Sequence, residues 1–230
     1  MTQRAILFDL DGTLVDSVPD LAAAVNALLA ELGRPALGLP QVTGMVGDGT
    51  SALVERALAA SGAGDTPLRA ALDRFLALYE AEPTRLTRPY AGVPRVLDEL
   101  AAAGWRLGVC TNKPERATRA VLAGLDLERF FRVVLGGDSG PTRKPDPGPL
   151  RAALERLGSA PGSAVMIGDH RNDVLAAQAA GMPVVFARWG YGAATLAGLE
   201  PDAAIERFTE LPEALRVIWQ RRSAPAPPGP

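Results

Sequence analysis

Four short segments carry carboxylates, a hydroxyl and two lysines at points where a strand is expected to end. They are Asp9-Leu10-Asp11-Gly12-Thr13, Thr111-Asn112-Lys113, a glycine-rich stretch that runs to Lys144-Pro145, and Gly168-Asp169-His170-Arg171-Asn172-Asp173. In an open parallel sheet, ligands bind beyond the carboxyl ends of the strands. We therefore expect these side chains to converge on one site, where the carboxylate oxygens suit a hard divalent ion such as Mg2+.

Only two of the 24 basic residues in this 230-residue chain are lysines, and both lie in these segments. Since arginine fills every other cationic position, Lys113 and Lys144 are expected to supply a compact ammonium that a guanidinium does not replace. Chance or codon bias would give the same count without any function.

The composition excludes several classes of function. Hydrophobic residues make up 47% of the chain and charged residues 22%, which is typical of a folded globular protein. A net charge of -2 offers no basic surface to nucleic acid or anionic lipid. The single Cys110 cannot form an intrachain disulfide, and the single His170 cannot build a histidine-cluster zinc site. With no apolar run of membrane-spanning length and no expected signal peptide, the sequence predicts a cytoplasmic protein.

The elements needed to position these segments alternate between strand and helix. Residues 4–8 form an apolar run typical of a strand buried on both faces, whereas residues 17–85 show helical periodicity only. From residue 89 onward, helices at 93–103, 114–124, 147–157 and 172–181 precede strands at 106–110, 132–135, 164–167 and 183–187. Repeated strand–helix units specify a doubly wound, Rossmann-like parallel sheet.

The sequence therefore predicts an α/β protein with two domains. Residues 1–14 and 89–220 are expected to form the catalytic core, and residues 15–88 an inserted all-helical cap domain. Residues 221–230 are rich in proline and are expected to form a disordered tail.

In order and spacing, the four segments resemble the four motifs of the haloacid dehalogenase-like superfamily. The first segment, continued through Ser17, is a highly specific signature, and residues 168–173 are specific when they follow a strand. Stretches similar to the phosphoglycolate phosphatase branch are Thr111-Asn112-Lys113-Pro114, Gly136-Gly137-Asp138, Lys144-Pro145-Asp146-Pro147, Gly168-Asp169-His170-Arg171-Asn172-Asp173 and Val46-Gly47-Asp48-Gly49. The resemblance covers essentially the whole core and implies a phosphoric monoester hydrolase that depends on Mg2+.

The resemblance also implies a role for each candidate residue. Asp9 is the expected nucleophile, which forms an aspartyl-phosphate. Asp11 is expected to protonate the leaving group as a general acid and then to deprotonate the attacking water as a general base. The expected Mg2+ ligands are the carboxylates of Asp9 and Asp169 and the backbone carbonyl of Asp11. Lys144 adds positive charge beside the nucleophile, and Asp173 orients Lys144 or a metal-bound water.

The segment that follows the predicted strand 106–110 is expected to bind the phosphate. Thr111 would donate its hydroxyl hydrogen to a phosphate oxygen, helped by the backbone N–H at Asn112. Lys113 either contacts the substrate or caps a helix start. His170 stands where phosphoglycolate phosphatases usually carry a small hydroxyl residue. Its imidazole either donates a hydrogen bond to a group that contacts the metal, or lies outward at the start of a helix. Cys110 is expected to be a small buried hydrophobic residue.

Within the superfamily, the residues favour a phosphatase. Asp11 is an acid that hydrolytic dehalogenases and cation pumps lack, and the insertion has no lysine for the Schiff base of phosphonate-cleaving relatives. A sugar phosphatase or phosphomutase is an alternative: Thr50 stands where a mutase arginine is expected, but Arg56 lies nearby. A binding module without turnover is another alternative, although no motif residue is missing.

The insertion indicates the substrate. A helical cap can exclude water and leave room only for a small leaving group. Gly47 lies in a loop at the start of a helix, where backbone N–H groups could bind the carboxylate of a short acid. The predicted substrate is the small phosphate monoester 2-phosphoglycolate. The alternative is that the glycines only form a tight turn between helices. We expect a monomer or a homodimer.

Overall fold

Six parallel strands form the central sheet in the computed structural model, which describes residues 3–223. In chain order the strands are β1 (Ala5–Phe8), β2 (Val15–Asp16), β3 (Arg88–Pro89), β4 (Arg106–Cys110), β5 (Phe131–Leu135), β6 (Ala164–Gly168), β7 (Val184–Ala187) and β8 (Ala203–Ile205). The sheet has the order β5-β4-β1-β6-β7-β8. The predicted Rossmann-like α/β fold is confirmed, and β1 lies at the point where the strand order reverses.

Helices cover both faces of this sheet and form the insertion. They are α1 (Val18–Glu31), α2 (Leu39–Thr43), α3 (Thr50–Ala60), α4 (Leu68–Ala81), α5 (Val93–Ala102), α6 (Glu115–Gly124), α7 (Gly148–Leu157), α8 (Arg171–Ala180) and α9 (Leu211–Ser223). Because side chains alternate along a strand, Ile6 and Phe8 pack with residues of α5, α6 and α9, whereas Ala5 and Leu7 pack with α7 and α8. β1 is therefore buried on both faces, as its apolar sequence predicts.

The helical insertion enters and leaves the core through one short strand pair. β2 and β3 pair antiparallel, with Val15 opposite Pro89 and Asp16 opposite Arg88. From residue 17 to residue 87 the chain has helices and turns and no strand. The division at residues 15–88 stays a prediction, and both of its ends fall within this strand pair.

The C-terminal part differs from the sequence prediction. β8 and α9 follow the last predicted strand, and α9 includes residues 221–223, past the predicted start of the tail. Residues 224–230, which make up the rest of the predicted tail, lie outside the described residues. Within residues 3–223, every helix is too short or too polar to cross a membrane.

Candidate active site

Asp9, Thr111 and Asp169 directly follow three neighbouring strands, β1, β4 and β6. Their backbones extend the sheet: the Asp9 N–H donates to the carbonyl of Ile167 over 2.9 Å, and the Thr111 N–H to that of Leu135 over 3.0 Å. The strand ladders therefore place these residues together at one edge of the sheet. Lys144 comes from the loop after β5 and reaches the same place.

Lys144 lies at the centre of the site. Its ammonium nitrogen is 3.1 Å from Asp9 Oδ1 and donates to Asp173 Oδ1 over 2.5 Å and to the Cys110 carbonyl over 2.7 Å. Only 3% of Lys144 is exposed. Burial alone would lower its pKa, but Asp173 and Asp9 raise it above the ordinary lysine value. Lys144 is therefore a buried cation beside the predicted nucleophile.

Three carboxylates face each other around this ammonium. Oxygens of Asp9, Asp169 and Asp173 lie within 4.8 Å of one another. Burial and repulsion from Asp9 and Asp173 raise the pKa of Asp169 well above its ordinary value. Burial likewise raises the pKa of Asp173 to about 6, although Lys144 lowers it. The cluster holds more negative charge than one lysine neutralises, and Asp9 Oδ1 is buried without accepting a hydrogen bond. A divalent cation with a preference for oxygen fits these donors.

Asp169 is held in place by the loop that follows β7. Its Oδ2 accepts the backbone N–H of Tyr191 over 2.8 Å, and its Oδ1 accepts the Thr13 hydroxyl over 2.8 Å. The backbone N–H of Gly192 also donates to Oδ2, over 3.3 Å. Each oxygen of a carboxylate has two acceptor directions, so Oδ1 keeps a lone pair for another ligand.

Asp11 is not a member of the three-carboxylate cluster and has partners of its own. It accepts the Ser17 hydroxyl over 2.6 Å, and Lys113 Nζ lies 3.2 and 3.3 Å from its two oxygens. The same ammonium stands 4.3 Å from the ring centre of Tyr79 on the cap. Burial alone would lower the pKa of Lys113, but Asp11 and Tyr79 raise it above the ordinary value. The structure thus puts Lys113 inside the site rather than at a helix cap.

A narrow inner cavity of about 30 Å3 separates these core groups from the cap. The core lines it with Asp9, Asp11, Thr111, Asn112 and Lys113, and the cap with Leu21, Val46, Gly47, Gly49, Thr50 and Leu53. All of the predicted substrate-binding residues therefore share one cavity. The cap leaves little free space above Asp9.

Asn112 and Gly47 make contacts besides the predicted ones, whose backbone N–H roles stay predictions. The side-chain amide of Asn112 donates to the carbonyls of Gly47 and Lys144, over 3.1 and 2.9 Å, and so connects cap and core. The Gly47 carbonyl is thus an acceptor for the core. His170 Nδ1 accepts the N–H of Asn172 at the start of α8, and its ring lies against Gly47. His170 is therefore turned toward the cap loop and not outward as one of the two interpretations expected.

Sequence reasoning missed several side chains that complete the site. Ser17 precedes α1, but its hydroxyl donates to Asp11 and makes no cap hydrogen bond. Tyr79 and Tyr191 carry no motif signal, because they meet the site only through the placement of the cap and of the loop after β7. Asn172 lies in a recognised motif, but its partner Asp48 is 124 residues away in the chain.

Comparison with known proteins identifies the family. Residues 6–187 match the model described as haloacid dehalogenase-like hydrolase. The chain belongs to the haloacid dehalogenase-like hydrolase family. The phosphoglycolate phosphatase of Rhodospirillum rubrum is 47% identical to this hydrolase over 214 residues, which cover 90% of this chain and 89% of that one.

Solved structures agree with this family assignment. The crystal structure of a predicted phosphoglycolate phosphatase from Haemophilus somnus has a TM-score of 0.87 and 30% identity, and the match covers 94% of this chain and 99% of that one. CbbY from Rhodobacter sphaeroides, solved in complex with phosphate, has a TM-score of 0.73 and 27% identity, with 92% and 96% covered. The predicted phosphoric monoester hydrolase and its resemblance to the phosphoglycolate phosphatase branch are confirmed.

Proposed function

We propose that this hydrolase converts 2-phosphoglycolate to glycolate and phosphate through an aspartyl-phosphate on Asp9, with Mg2+ as its cofactor. The observation that carries the proposal is the burial of both lysines of the chain in one site, Lys144 beside Asp9 and Lys113 on the cap side. Two separate cations suit a substrate with two separate anionic groups, a phosphate and a carboxylate. The names of the relatives support the same substrate.

The donor set suits Mg2+. The carboxylates of Asp9 and Asp169 and the backbone carbonyl of Asp11 would hold the ion, and Asp173 stands beside them with Lys144. When bound, the ion would neutralise charge on the phosphate and on the attacking carboxylate. Its positive charge would also offset the repulsion that raises the pKa of Asp169.

The chemistry needs two displacements at phosphorus. In the first, an Asp9 oxygen bonds to phosphorus while the bond from phosphorus to the glycolate oxygen breaks, and Asp11 gives that oxygen a proton. In the second, Asp11 takes a proton from a water molecule, which attacks phosphorus and releases phosphate from Asp9. Lys144 stays beside the attacking oxygen throughout and reduces its repulsion from the phosphate.

The leaving group would be recognised from the cap. Gly49 and Thr50 begin α3 beside the inner cavity, so the positive end of the helix dipole and Lys113 face the same space. A carboxylate placed there would share Lys113 with Asp11. Such sharing suits a short acid such as 2-phosphoglycolate, in which a single methylene group joins the carboxylate to the ester oxygen of the phosphate.

The phosphomutase alternative finds little support in the cap. Arg56, the residue that kept it open, donates to the carboxylate of Asp48 and to the carbonyl of Met45. It lines an outer groove, whereas Thr50 lines the inner cavity. Among residues 3–223, no specific contact favours a sugar phosphate over a short acid.

A substrate panel tests the proposal. With Mg2+ present, kcat/KM for 2-phosphoglycolate should exceed that for glucose 6-phosphate and acetyl phosphate by about tenfold or more, since only the first carries a carboxylate for Lys113. A higher value for a hexose phosphate would overturn the substrate and leave the catalytic residues untouched.

The covalent mechanism has its own test. Asp9→Asn should keep the fold and lose turnover of every ester, to below about 1% of the wild-type rate. Chelation of divalent ions should stop the wild-type enzyme, and added Mg2+ should restore it. Residual turnover of a few per cent or more in Asp9→Asn would contradict a nucleophilic role.

A further inference from the structure

Two asparagines of the core hold one carbonyl of the cap loop, residues 44–49. The side-chain amides of Asn112 and Asn172 both donate to the Gly47 carbonyl, over 3.1 and 3.2 Å. Asn172 Nδ2 also donates to Asp48 Oδ1 over 2.8 Å. Both asparagines are buried, with exposed fractions of 8% and 5%. The loop is therefore bonded to the segment after β4 and to the start of α8 through three hydrogen bonds.

The carboxylate of Asp48, which accepts a hydrogen bond from Asn172, is held in position by a residue of the cap. Arg56 donates to the carboxylate of Asp48 and to the carbonyl of Met45, and so fixes Asp48 against its own loop. Burial alone would raise the pKa of Asp48, but the hydrogen bonds from Arg56 and Asn172 hold its pKa below the ordinary value. Asn172 thus meets an ionised carboxylate whose position is already set, which favours a stronger hydrogen bond than a neutral acceptor would give.

The cap loop is also a wall between two spaces. On one side lies the inner cavity with Asp9 and Lys113, and on the other an outer groove of about 560 Å3. Val46 lines both, Asn112 lines only the inner cavity and Asn172 only the outer groove. A loop that moved away from the asparagines would join the two spaces and enlarge the room for a leaving group.

We propose that Asn172 is a positioning residue that latches the cap loop onto the core and thereby limits the size of the leaving group. It touches neither the reacting atoms nor the inner cavity, and it acts through Gly47 and Asp48. The inference rests on the proposed function only for the choice of substrates in its test.

Asn172→Asp removes the latch while keeping the shape of the side chain. A carboxylate would face the Gly47 carbonyl and Asp48, so that attraction becomes repulsion. The substitution should not weaken α8, because Asn172 is the second residue of that helix and a negative charge there favours the helix dipole. We expect KM for 2-phosphoglycolate to rise about tenfold, and its advantage in kcat/KM over glucose 6-phosphate to fall by a similar factor.

A charge swap separates the latch from a general electrostatic effect near the metal site. In the double variant Asn172→Asp with Asp48→Asn, the amide and the carboxylate exchange sides and can bond again, whereas the Gly47 carbonyl stays without its donor at position 172. KM and the substrate preference should therefore return part of the way to wild type. A loss caused by negative charge beside Asp169 would persist in the double variant, and that result would overturn the latch. Gln178→Glu makes the same amide-to-acid change on the exposed part of α8 and should leave both parameters unchanged.

A measurement without substrate keeps the latch distinct from the proposed function. Amide hydrogen exchange in residues 44–50 of the ligand-free protein should be faster in Asn172→Asp by about tenfold and partly slowed again in the double variant. Unchanged exchange would refute the latch, even if 2-phosphoglycolate were the substrate. Faster exchange together with a different substrate would refute only the proposed function.

Discussion

The two lysines use different partners for different tasks. Lys144 donates to Asp173 and to the Cys110 carbonyl while its ammonium nitrogen lies 3.1 Å from Asp9 Oδ1, and at 3% exposure this space suits a compact ammonium better than a planar guanidinium. Lys113 pairs with Asp11 and faces the ring of Tyr79. Retention of these lysines in an arginine-rich chain thus has a physical reason at each position.

At the scale of a single residue, Lys113→Gln should separate binding from chemistry. The amide keeps most of the length but removes the charge that we assign to the substrate carboxylate. KM for 2-phosphoglycolate should rise at least about tenfold, while kcat/KM for methyl phosphate, which has no carboxylate, should change little. Steady-state kinetics on the two esters provide the measurement.

Equal losses on both esters would give Lys113 a different role. Its contact with Asp11 would then matter more than any contact with the substrate, because both esters need the Asp11 proton. Lys113→Arg provides the comparison in which charge is kept. If charge is what binds the carboxylate, this variant should retain more affinity for 2-phosphoglycolate than Lys113→Gln.

At the scale of elements, a few hydrogen bonds hold the two chain connections between the cap and the core. Asp20 of α1 is buried and accepts the backbone N–H groups of Leu86 and Thr87 and the Thr87 hydroxyl, over 2.7 to 3.0 Å. Where the chain enters the cap, the Tyr191 hydroxyl accepts the N–H groups of Ser17 and Val18 and donates to Asp16. The start of α1 is therefore bonded to the chain that returns to the core and to the loop that holds Asp169.

Asp20→Ala should cost much of the stability of this junction. It leaves the N–H group and hydroxyl of buried Thr87 and the partly buried N–H group of Leu86 without an acceptor, so the free energy of unfolding should fall by about 2–4 kcal/mol. Asp73→Ala on α4 is the matched control, since the Asp73 contact with Arg69 is exposed and worth less than about 0.5 kcal/mol. Urea unfolding of the three proteins gives the comparison; similar midpoints for Asp20→Ala and wild type would show that water satisfies these groups.

The periodicity of the sequence predicts the longer strands and helices and misses the shortest strands. The predicted strand 106–110 agrees with β4, and the strand predicted at 132–135 begins one residue earlier, because apolar runs bounded by turns are buried in a parallel sheet. β2, β3 and β8 have two or three residues each, too few to show alternation. They exist because neighbouring chain segments supply hydrogen-bond partners, which a local pattern does not encode.

The same distinction applies within the site. Asp9, Thr111 and Asp169 could be predicted to meet because each follows a strand, and strand ends of a parallel sheet meet at one edge. The contacts from Asn172 to Asp48 and from Lys113 to Tyr79 depend on how the cap sits above the core. No local spacing reports that placement, so sequence reasoning gave the catalytic groups and missed the cap contacts.

At the scale of the whole molecule, the position of the cap decides what reaches Asp9. The inner cavity of about 30 Å3 is small beside the outer groove of about 560 Å3, and residues 44–49 stand between them. We therefore expect the cap to move when substrate enters and to return for catalysis. Any change that holds the loop away from the core should weaken substrate binding before it affects the phosphoryl chemistry.

Gly47→Ala should have this effect. Gly47 has a φ of 121°, which side-chain-bearing residues rarely adopt, and a Cβ there would lie 2.6 Å from His170 Cδ2. We expect KM for 2-phosphoglycolate to rise about tenfold and turnover of acetyl phosphate to fall less. Gly64→Ala is the control on the same cap, because a Cβ at Gly64 meets no atom within 4 Å.

Relief of the clash tests whether closure is the cause. In Gly47→Ala with His170→Ala, the imidazole that the new methyl group would meet is gone, so part of the affinity for 2-phosphoglycolate should return while the backbone strain remains. The melting temperature of Gly47→Ala should stay near that of wild type, since an open cap can avoid the contact without unfolding the core. A large fall in melting temperature with equal losses on both substrates would instead mean that the glycine supports the fold and not the closure of the cap.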